Sequence, residues 1–487
     1  MIGALILVPA LAGALCFALR SALARRALLG GAAAVHAART YAAGRGLPEP
    51  TLYDWLALDD LGRLFLGITS LLFLVTAVYA VGYLARERDK AHRDFGEDFL
   101  FTNIPEAVFT GCLLLFLAAM TLVVTSRHFG LLWAGVEATT LASAPLILYH
   151  RHHRSLEATW KYLVLCSVGI AVALLGSFFL SVALRETAGS SSLVLDDLVR
   201  RAPDASAPWL RAAFICLLVG YGTKMGLAPL HSWLPDAHSE APSVVSALLS
   251  GALLNCAFLA ILRALQVCVA AGQGEFARGL LLGFGLLSMG LAAIFLVRQS
   301  DYKRLLAYSS VEHMGILAIG VGLGGLGDYG ALLHAVCHAL TKGMLFLVAG
   351  NILAASNTKT AGEVRGLLRG LPVSGLLWTA GFLAIAGSPP FGTFLSEFTI
   401  IRAALAQGRP RVAAAMLLLL AVIFAGMSRT MLAMAQGEST TTHPAEPRLA
   451  VAPPLVLAAL VLLLGLYIPA PLEATLRLAA RALGATP

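Results

Sequence analysis

The sequence has 487 residues, of which 58% are hydrophobic and only 13% are charged, and its formal net charge is +8. Soluble domains carry roughly 25% charged residues, and a water-soluble chain must cover its core with polar groups. The composition therefore excludes a soluble globular protein and predicts a protein that crosses a membrane many times. The basic balance favours anionic lipid headgroups over nucleic acid, since the sequence has no arginine-rich arm and no basic run interleaved with aromatic residues.

Apolar runs long enough to cross a bilayer occur fourteen times. A helix needs about 20 apolar residues to cross a core of roughly 30 Å, whereas barrel strands would show about ten alternating residues. The runs lie near residues 2–19, 27–43, 61–84, 106–126, 128–149, 158–184, 208–228, 243–263, 276–297, 302–323, 328–354, 372–401, 410–434 and 450–469. We predict an all-α fold of about fourteen transmembrane helices in the cell's inner (plasma) membrane.

The first run is interpreted as a retained span whose N-terminus lies outside. Signal peptides carry positive charge before the apolar core, whereas Arg20, Arg25 and Arg26 follow it here. The links between later runs are too short to hold a soluble domain, so catalysis on a soluble substrate would need partner subunits. Residues 472–484 predict a short interfacial helix.

Two of the runs are interrupted by helix-breaking residues. Gly226 and Pro229 interrupt the seventh run, and Gly387 and Pro389 are among those that interrupt the twelfth. Paired broken helices are typical of inverted repeats with ion sites near the membrane midplane, and these two lie five spans apart. The predicted divisions are 1–105 (helices 1–3 and a charged loop), 106–265 (first five-helix repeat, helices 4–8), 276–434 (second repeat, helices 9–13) and 450–487 (last transmembrane helix and amphipathic tail).

Ionisable side chains inside the predicted spans are candidate functional residues, because each costs free energy in the membrane. Glu137 lies mid-span, Lys224 lies just before the first break, and Glu397 follows the second break. A buried carboxylate satisfied by a neighbouring hydroxyl and a lysine that reaches the interface are the structural alternatives.

The eleventh run carries His334, His338 and Lys342 at positions i, i+4 and i+8. Each step of four residues turns a helix by only about 40°, so the three share one face over roughly 12 Å. Histidine both accepts and donates protons near neutral pH, which suits a proton relay. Packing histidines are the alternative. A metal site is disfavoured because no carboxylate or cysteine completes one nearby in the sequence.

Further candidates lie next to these helices. Glu312 and His313 lie within the tenth run, and a Pro-rich turn carries His231 and Asp236 together with His238 and Glu240. That turn predicts a re-entrant or interfacial segment more strongly than a metal site. The seven cysteines are single and no CxxC motif exists, so iron–sulfur and zinc-ribbon ligands are absent and no cofactor is predicted in this chain.

Four motifs resemble one protein family in order and spacing. TKMGLAPLHSWLPDAHSEAP, DYKRLLAYSSVEHMGI, ALLHAVCHALTKGMLFL and GSPPFGTFLSEF resemble the antiporter-like proton-conducting subunits shared by respiratory complex I, membrane-bound hydrogenases and multisubunit Na⁺/H⁺ antiporters. The resemblance runs from about residue 56 to about 429, and within the family it is strongest to hydrogenase-4 F subunits. It implies fourteen helices with two inverted repeats.

The resemblance also implies roles for individual residues. Glu137 and Lys224 would form a switchable proton-transfer pair, His334, His338 and Lys342 would lie on the connecting helix, and Glu397 would be the terminal charged residue. Many relatives carry a lysine or histidine in the eighth span. This sequence has Ser250 and Asn255 there instead, which would have to bridge the path with water.

The resulting hypothesis is a proton-translocating subunit of a membrane-bound hydrogenase or formate-hydrogenlyase-type complex. Nickel–iron and iron–sulfur centres are expected in partner subunits, with other membrane subunits and a peripheral redox arm as partners. The alternatives are a complex I pump subunit, a Na⁺/H⁺ antiporter subunit and a non-conducting membrane scaffold.

Overall fold

The computed structural model describes residues 1–46, 48–87, 92–93, 100–184, 192–439 and 446–484. The chain is almost entirely helical, which confirms the all-α prediction. A two-residue antiparallel pairing of β1 (His92–Arg93) with β2 (Leu100–Phe101) is a small addition to it. Most of the charged loop 85–100 lies outside the described residues.

The helices follow one another through short connections. In the first half they are α1 (Ile2–Ala18), α2 (Ala22–Arg45), α3 (Asp60–Glu87), α4 (Glu106–Thr125), α5 (Phe129–Ile147), α6 (His153–Ala183), α7 (Leu195–Arg201), α8 (Ala207–Met225), α9 (Trp233–Glu240), α10 (Ser243–Leu248) and α11 (Leu254–Ala270). In the second half they are α12 (Gly274–Leu296), α13 (Tyr302–Leu323), α14 (Leu326–Ser356), α15 (Leu367–Gly370), α16 (Pro372–Ile385), α17 (Gly392–Ala406), α18 (Pro410–Ala435), α19 (Arg448–Leu466) and α20 (Ala470–Arg481). Short 3₁₀ turns cover Ala202–Asp204 and Ala361–Glu363, and a π-helical turn over Leu249–Leu253 joins α10 to α11.

Among the described residues, ten helical segments are long and apolar enough to cross a membrane, counting α10 to α11 as one segment. Helices α1 and α16 are apolar but shorter. The protein is therefore a multi-pass membrane protein. Every one of the fourteen predicted runs is helical in the structure, but the number of crossings stays a prediction.

Helix α14 forms the centre of the second half. It packs against α3, α10, α13, α16, α17 and α19, and its apolar window is fully buried, whereas that of α18 is 28% buried. Because α14 is surrounded by protein and α18 faces outward, polar residues on α14 are shielded from lipid by neighbouring helices.

Both predicted breaks are present. Helix α8 ends at Gly226, whose φ of 83° is left-handed and favours glycine, and the chain then turns into α9. Helix α16 ends before Gly387, also left-handed at φ 63°, and α17 starts at Gly392. Each break leaves backbone groups without intrahelical partners at a depth where protein, not lipid, must surround them.

Buried ion pairs tie the helices together at the end of the bundle where α3 begins. The Arg263 guanidinium, 1% exposed, donates to both carboxylate oxygens of Asp59 at 2.9 and 3.2 Å and to the Val124 carbonyl. Burial alone would raise the pKa of Asp59, but the charges of Arg263 and Arg127 outweigh burial and lower it. Arg263 thereby links α11, the start of α3 and the end of α4.

A second link at the same end holds the tail. Arg278 on α12 donates to both carboxylate oxygens of Asp328 at 2.9 and 3.0 Å and to the Leu483 carbonyl at 2.7 Å. Leu476 and Leu483 are buried, as the predicted amphipathic tail requires. Helix α20 thus closes over α3 and α14.

Candidate functional site

Lys224, in the last turn of α8, is fully buried and bonded to hydroxyl groups. Its ammonium donates to Thr140 Oγ1 and to the Tyr162 hydroxyl, both at 2.7 Å, and it lies 4.5 Å from the Tyr162 ring centroid. The hydroxyls of Tyr162 and Ser143 lie 2.6 Å apart. The lysine therefore sits in a hydroxyl cage built by α5 and α6.

Glu137 lies one turn of α5 before Thr140 and is only half-buried. Ser167 donates to its Oε1 at 3.0 Å, while Oε2 has no partner among the described residues. The ion pairs within 4.0 Å in the described part of the chain do not include Glu137 with Lys224. The two groups predicted to form a switchable pair are thus separate here, with Thr140 in the place of the carboxylate.

The eighth-span segment contains the π-helical turn, and its polar residues lie on or beside it. Ser250 and Ser310 have hydroxyl oxygens 2.8 Å apart, which joins the turn to α13. Asn255 donates to the Gly251 carbonyl at 2.8 Å, and its Oδ1 accepts from no described group. Both candidates are buried, so each offers a polar atom to a bound water.

A hydrogen-bonded chain crosses three helices in the second half. Nδ1 of His313 on α13 lies 2.8 Å from Nε2 of His334 on α14, and Nδ1 of His334 lies 2.9 Å from the Ser396 hydroxyl on α17. Ser396 itself donates to the Thr393 carbonyl at 2.7 Å. We call His313, His334 and Ser396 the imidazole relay.

The donor and acceptor roles along the relay determine which ring nitrogens carry protons. Because the Ser396 proton points at the Thr393 carbonyl, its oxygen must accept from His334, so His334 carries its proton on Nδ1 and a lone pair on Nε2. That lone pair accepts from His313 Nδ1–H. The remaining His313 Nε2 is then a bare acceptor, and no described group bonds to it.

His338 and Lys342 continue the face of α14 that the sequence predicts. The His338 ring lies 5.2 Å from the His313 ring, and neither of its nitrogens is hydrogen-bonded within the described residues. Lys342 donates to the Leu306 carbonyl at 2.7 Å. Glu312 accepts from Ser309 at 3.3 Å. Like the relay, these side chains are buried.

Glu397 follows Ser396 on α17 and lies beside the break. An added Cβ on Gly387 would lie 2.1 Å from Glu397 Oε2, so the carboxyl fills the space that a side chain would take. Its Oε1 is buried and unpartnered in the part of the chain that the structure describes. Donor atoms of His313, His334 and Glu397 lie within 4.8 Å of one another.

The Pro-rich turn forms α9 and the residues that lead into it from the break. Its placement as a re-entrant or interfacial segment stays a prediction. Asp236 pairs with Lys161 on α6 at 2.9 Å and with Arg304 on α13. His231 is buried just after the break, with its ring 6.3 Å from that of Tyr308. The two predicted residues therefore lie on the structure that supports the break.

A cavity of about 240 Å³ opens beside α9 at the end of the bundle opposite Asp59. Its polar lining includes Glu240, Lys303, Lys359 and His152. His238, two residues before Glu240, is fully buried against the Phe346 ring at 4.9 Å, and neither of its nitrogens has a described partner.

Basic side chains from three parts of the chain surround Glu240. Lys359 donates to it at 2.8 Å and His152 lies 3.6 Å away. Burial alone would raise the pKa of Glu240, but the charge and hydrogen bond of Lys359, with the charges of Lys303 and His152, lower it overall.

The sequence predictions named the charged residues of the site but missed the groups that contact them. Thr140, Tyr162 and Ser396 provide the hydrogen bonds to Lys224 and His334. Hydroxyl residues are common in membrane helices, so residue type alone did not distinguish them. Thr140 lies one helical turn after Glu137 and Ser396 next to Glu397, and this proximity is the signal that could have found them.

Comparison with known proteins identifies relatives of this chain. The family model described as NADH:quinone oxidoreductase/Mrp antiporter, TM matches residues 126–428. The hydrogenase-4 component F homolog of Methylacidiphilum infernorum (isolate V4) is 37% identical over 358 residues, which cover 73% of each chain. Hydrogenase-4 component B of Escherichia coli (strain K12) is 32% identical over 359 residues, 70% of this chain and 50% of that protein. The chain thus spans about half the length of that second relative.

Solved structures share the fold over nearly the whole chain. A chain of the archaeal membrane-bound sulfane sulfur reductase superposes with a TM-score of 0.84 at 22% identity, covering 99% of this chain and 98% of that one. A chain of respiratory complex I from Thermus thermophilus gives 0.78 at 25% identity, with 96% and 97% covered.

Proposed function

We propose, from the premise that this chain belongs to the NADH:quinone oxidoreductase/Mrp antiporter transmembrane family, that it translocates protons as an antiporter-like subunit of a membrane-bound hydrogenase-type complex. The observation that carries the proposal is the imidazole relay. It is a buried, hydrogen-bonded chain across three helices, with a bare acceptor at His313 and the unpartnered carboxyl of Glu397 beside both imidazoles.

Buried ionisable groups of this kind cost stability, so a membrane protein that keeps several of them is expected to use them. A membrane scaffold needs only apolar packing, whereas this protein buries Lys224, Lys342, Glu312 and Glu397 together with six histidines among the described residues. The cost of these groups argues against the non-conducting scaffold.

The first half of the path loads a proton at Lys224. In the hydroxyl cage the ammonium is stabilised by Thr140 and Tyr162. Movement of the Glu137 carboxylate toward it favours the charged lysine, and movement away favours proton release, because an opposite charge nearby stabilises the protonated form. The half-buried, single-bonded carboxylate of Glu137 is suited to such movement.

The second half passes the proton along α14. Bound water at Ser250 and Asn255 connects Lys224 to Lys342 and His338, and the proton then reaches the bare Nε2 of His313. His313 releases its Nδ1 proton to His334, and the Nδ1 proton of His334 leaves toward Ser396 and Glu397. The transfers from His313 to His334 and from His334 to Ser396 follow hydrogen bonds already formed in the relay, and bound water carries the proton to His313 and from Ser396 to Glu397.

The same proposal assigns the membrane arrangement. With the N-terminus outside, fourteen crossings place the Glu240 cavity at the inside and α20 at the outside. The segments 106–265 and 276–434 then form two inverted repeats whose broken helices are α8–α9 and α16–α17. The inner plasma membrane is the compartment in which such a subunit would build a proton gradient.

Redox energy would come from partners. This chain has no CxxC motif, so nickel–iron and iron–sulfur centres belong to a peripheral arm and to other membrane subunits of the complex. The similarity to hydrogenase-4 components favours hydrogenase partners. Mass spectrometry of proteins that copurify with the tagged chain in mild detergent tests this assignment. NADH-dehydrogenase subunits, or antiporter subunits alone, would replace it with a complex I or Na⁺/H⁺ antiporter function.

Lys224→Met tests the transport role. The purified complex is reconstituted into liposomes and proton uptake is measured per electron transferred. We expect coupled uptake to be lost while the complex still assembles, because methionine keeps the apolar stem and removes the proton carrier. Lys161→Met is the matched control, since Lys161 is half-exposed and pairs at the surface. Proton uptake in Lys224→Met equal to that of the control would refute the role of Lys224.

A further inference from the structure

Three buried side chains that are distant in sequence converge on one point. His313, His334 and Glu397 come from α13, α14 and α17, and each offers a donor atom within 4.8 Å of the other two. Their exposure is 0%, 0% and 5%. The sequence analysis disfavoured a metal because no carboxylate lay near His334 along the chain, but the fold brings Glu397 from 63 residues away.

The donor set is selective. Two imidazole nitrogens and one carboxylate oxygen suit Zn²⁺ and its neighbours among the transition metals, whereas Mg²⁺ and Ca²⁺ prefer oxygen ligands alone. Zn–N bonds of 2.0–2.1 Å place two nitrogens roughly 3.3 Å apart around a tetrahedral ion. The facing nitrogens of His313 and His334 lie 2.8 Å apart, so a small separation of the rings would admit the ion.

Neighbouring groups already orient the ligands. The Ser396 hydroxyl holds His334 as the Nδ1–H form and leaves its Nε2 lone pair facing His313, as partners of metal-bound histidines commonly do. Glu397 Oε1 is buried without a partner among the described residues. This buried carboxylate oxygen beside two imidazoles lacks a partner that a bound metal ion would supply.

We propose that His313, His334 and Glu397 form a buried inhibitory site for a divalent transition-metal ion of the Zn²⁺ type. The ion takes the place of the proton shared by the two imidazoles, and His313 then carries its proton on Nε2. While the ion is bound, the hydrogen bond between His313 and His334 is broken and the relay is closed. This last consequence rests on the proposed function, whereas metal binding does not.

Cobalt binding tests the site directly. Co²⁺ replaces Zn²⁺ in tetrahedral sites and gives visible absorption bands there, which octahedral aqueous Co²⁺ shows only weakly. The purified native complex is treated with chelator and titrated with Co²⁺, and the spectrum is compared with that of complexes carrying variants of this chain. The difference removes signals from metals in partner subunits. We expect one saturable tetrahedral site that Zn²⁺ displaces.

Variants identify the ligands. His334→Gln and Glu397→Gln each remove one donor, so we expect a loss of affinity greater than the roughly 10–100-fold that loss of an outer partner costs. Ser396→Ala removes only such a partner and should fall within that range. His36→Gln is the matched control, since this buried histidine of α2 bonds Ser70 and Thr121, away from the site.

The outcomes separate the two proposals. No tetrahedral Co²⁺ signal in the wild-type complex, or the same signal in Glu397→Gln and in the His36→Gln control, would overturn the metal site. Ser396→Ala covers the case in which a ligand variant does not assemble. In liposomes, Zn²⁺ should block proton uptake by the wild type. Co²⁺ binding without any proton uptake would support the metal site and refute the transport function. Proton uptake without Co²⁺ binding would support the transport function and refute the metal site.

Discussion

The Ser396 hydroxyl sets the direction of the imidazole relay, and its removal should slow proton transfer. In Ser396→Ala, His334 keeps its ring but loses the acceptor for Nδ1–H. The tautomer with the proton on Nδ1 then has an unsatisfied buried donor. Such a group costs about 1–3 kcal/mol.

The size of the effect follows from this cost. The alternative tautomer places a proton on His334 Nε2, where it faces the Nδ1–H of His313 and cannot accept from it. The population of the conducting arrangement should therefore fall by the whole cost of the lost bond, which corresponds to roughly 5- to 150-fold. We expect the rate of proton uptake to fall by that factor.

The assay compares proton uptake by the reconstituted complex, followed with a pH-sensitive dye, at matched rates of electron transfer. Thr399→Ala is the control, because this hydroxyl on the same helix bonds only the Leu395 carbonyl of its own helix. Ser396→Thr, which keeps a hydroxyl, should retain most of the rate. A Ser396→Ala rate within twofold of Thr399→Ala would refute the tautomer argument.

Two further predictions concern stability. Asp59→Asn leaves the buried Arg263 charge unpaired and should destabilise the protein by about 3 kcal/mol. Asp60→Asn breaks a partly exposed pair and should cost about 1 kcal/mol or less. Equal shifts of the thermal midpoint of the two variants in detergent would contradict the buried role of Asp59. The folded protein lowers the pKa of Glu240, so the pairing of this carboxylate with Lys359 stabilises the fold fully above the ordinary carboxyl pKa of about 4.3. The stabilisation is lost as the pH falls from that value through the lower pKa of the folded state. Glu240→Gln lacks this carboxyl group, so it should lose less thermal stability than the wild type between pH 5 and pH 3. Identical pH profiles of the two proteins would contradict the prediction.

Apolar runs and glycine and proline breaks could be predicted from the sequence because they depend on local composition. Each predicted run is helical, and both breaks are present. The charged candidates could be predicted for the same reason, since an ionisable residue in an apolar run is visible without a fold.

The contacts between these residues could not be predicted, because they join segments that are far apart in the chain. Asp59 meets Arg263 across 204 residues, and Lys224 meets Thr140 across 84. The predicted partner of Lys224 was Glu137, which lies one turn from Thr140 on the same face of α5, so the sequence indicated the helix but not which of its side chains contacts the ammonium in this structure. Helix faces are determined by packing among many helices, which a single sequence does not encode locally.

The orientation of the imidazole relay has a consequence for leakage. After one proton has passed, His313 carries its proton on Nε2 and His334 on Nε2, so every hydrogen bond in the relay points the opposite way. A second proton cannot follow until both rings and the Ser396 hydroxyl have rotated back, and tight packing around α14 resists that rotation. Under the proposed function, the relay would therefore conduct one proton per reset. The membrane would then keep its voltage between turnovers, because the same groups that carry protons would not form an open channel.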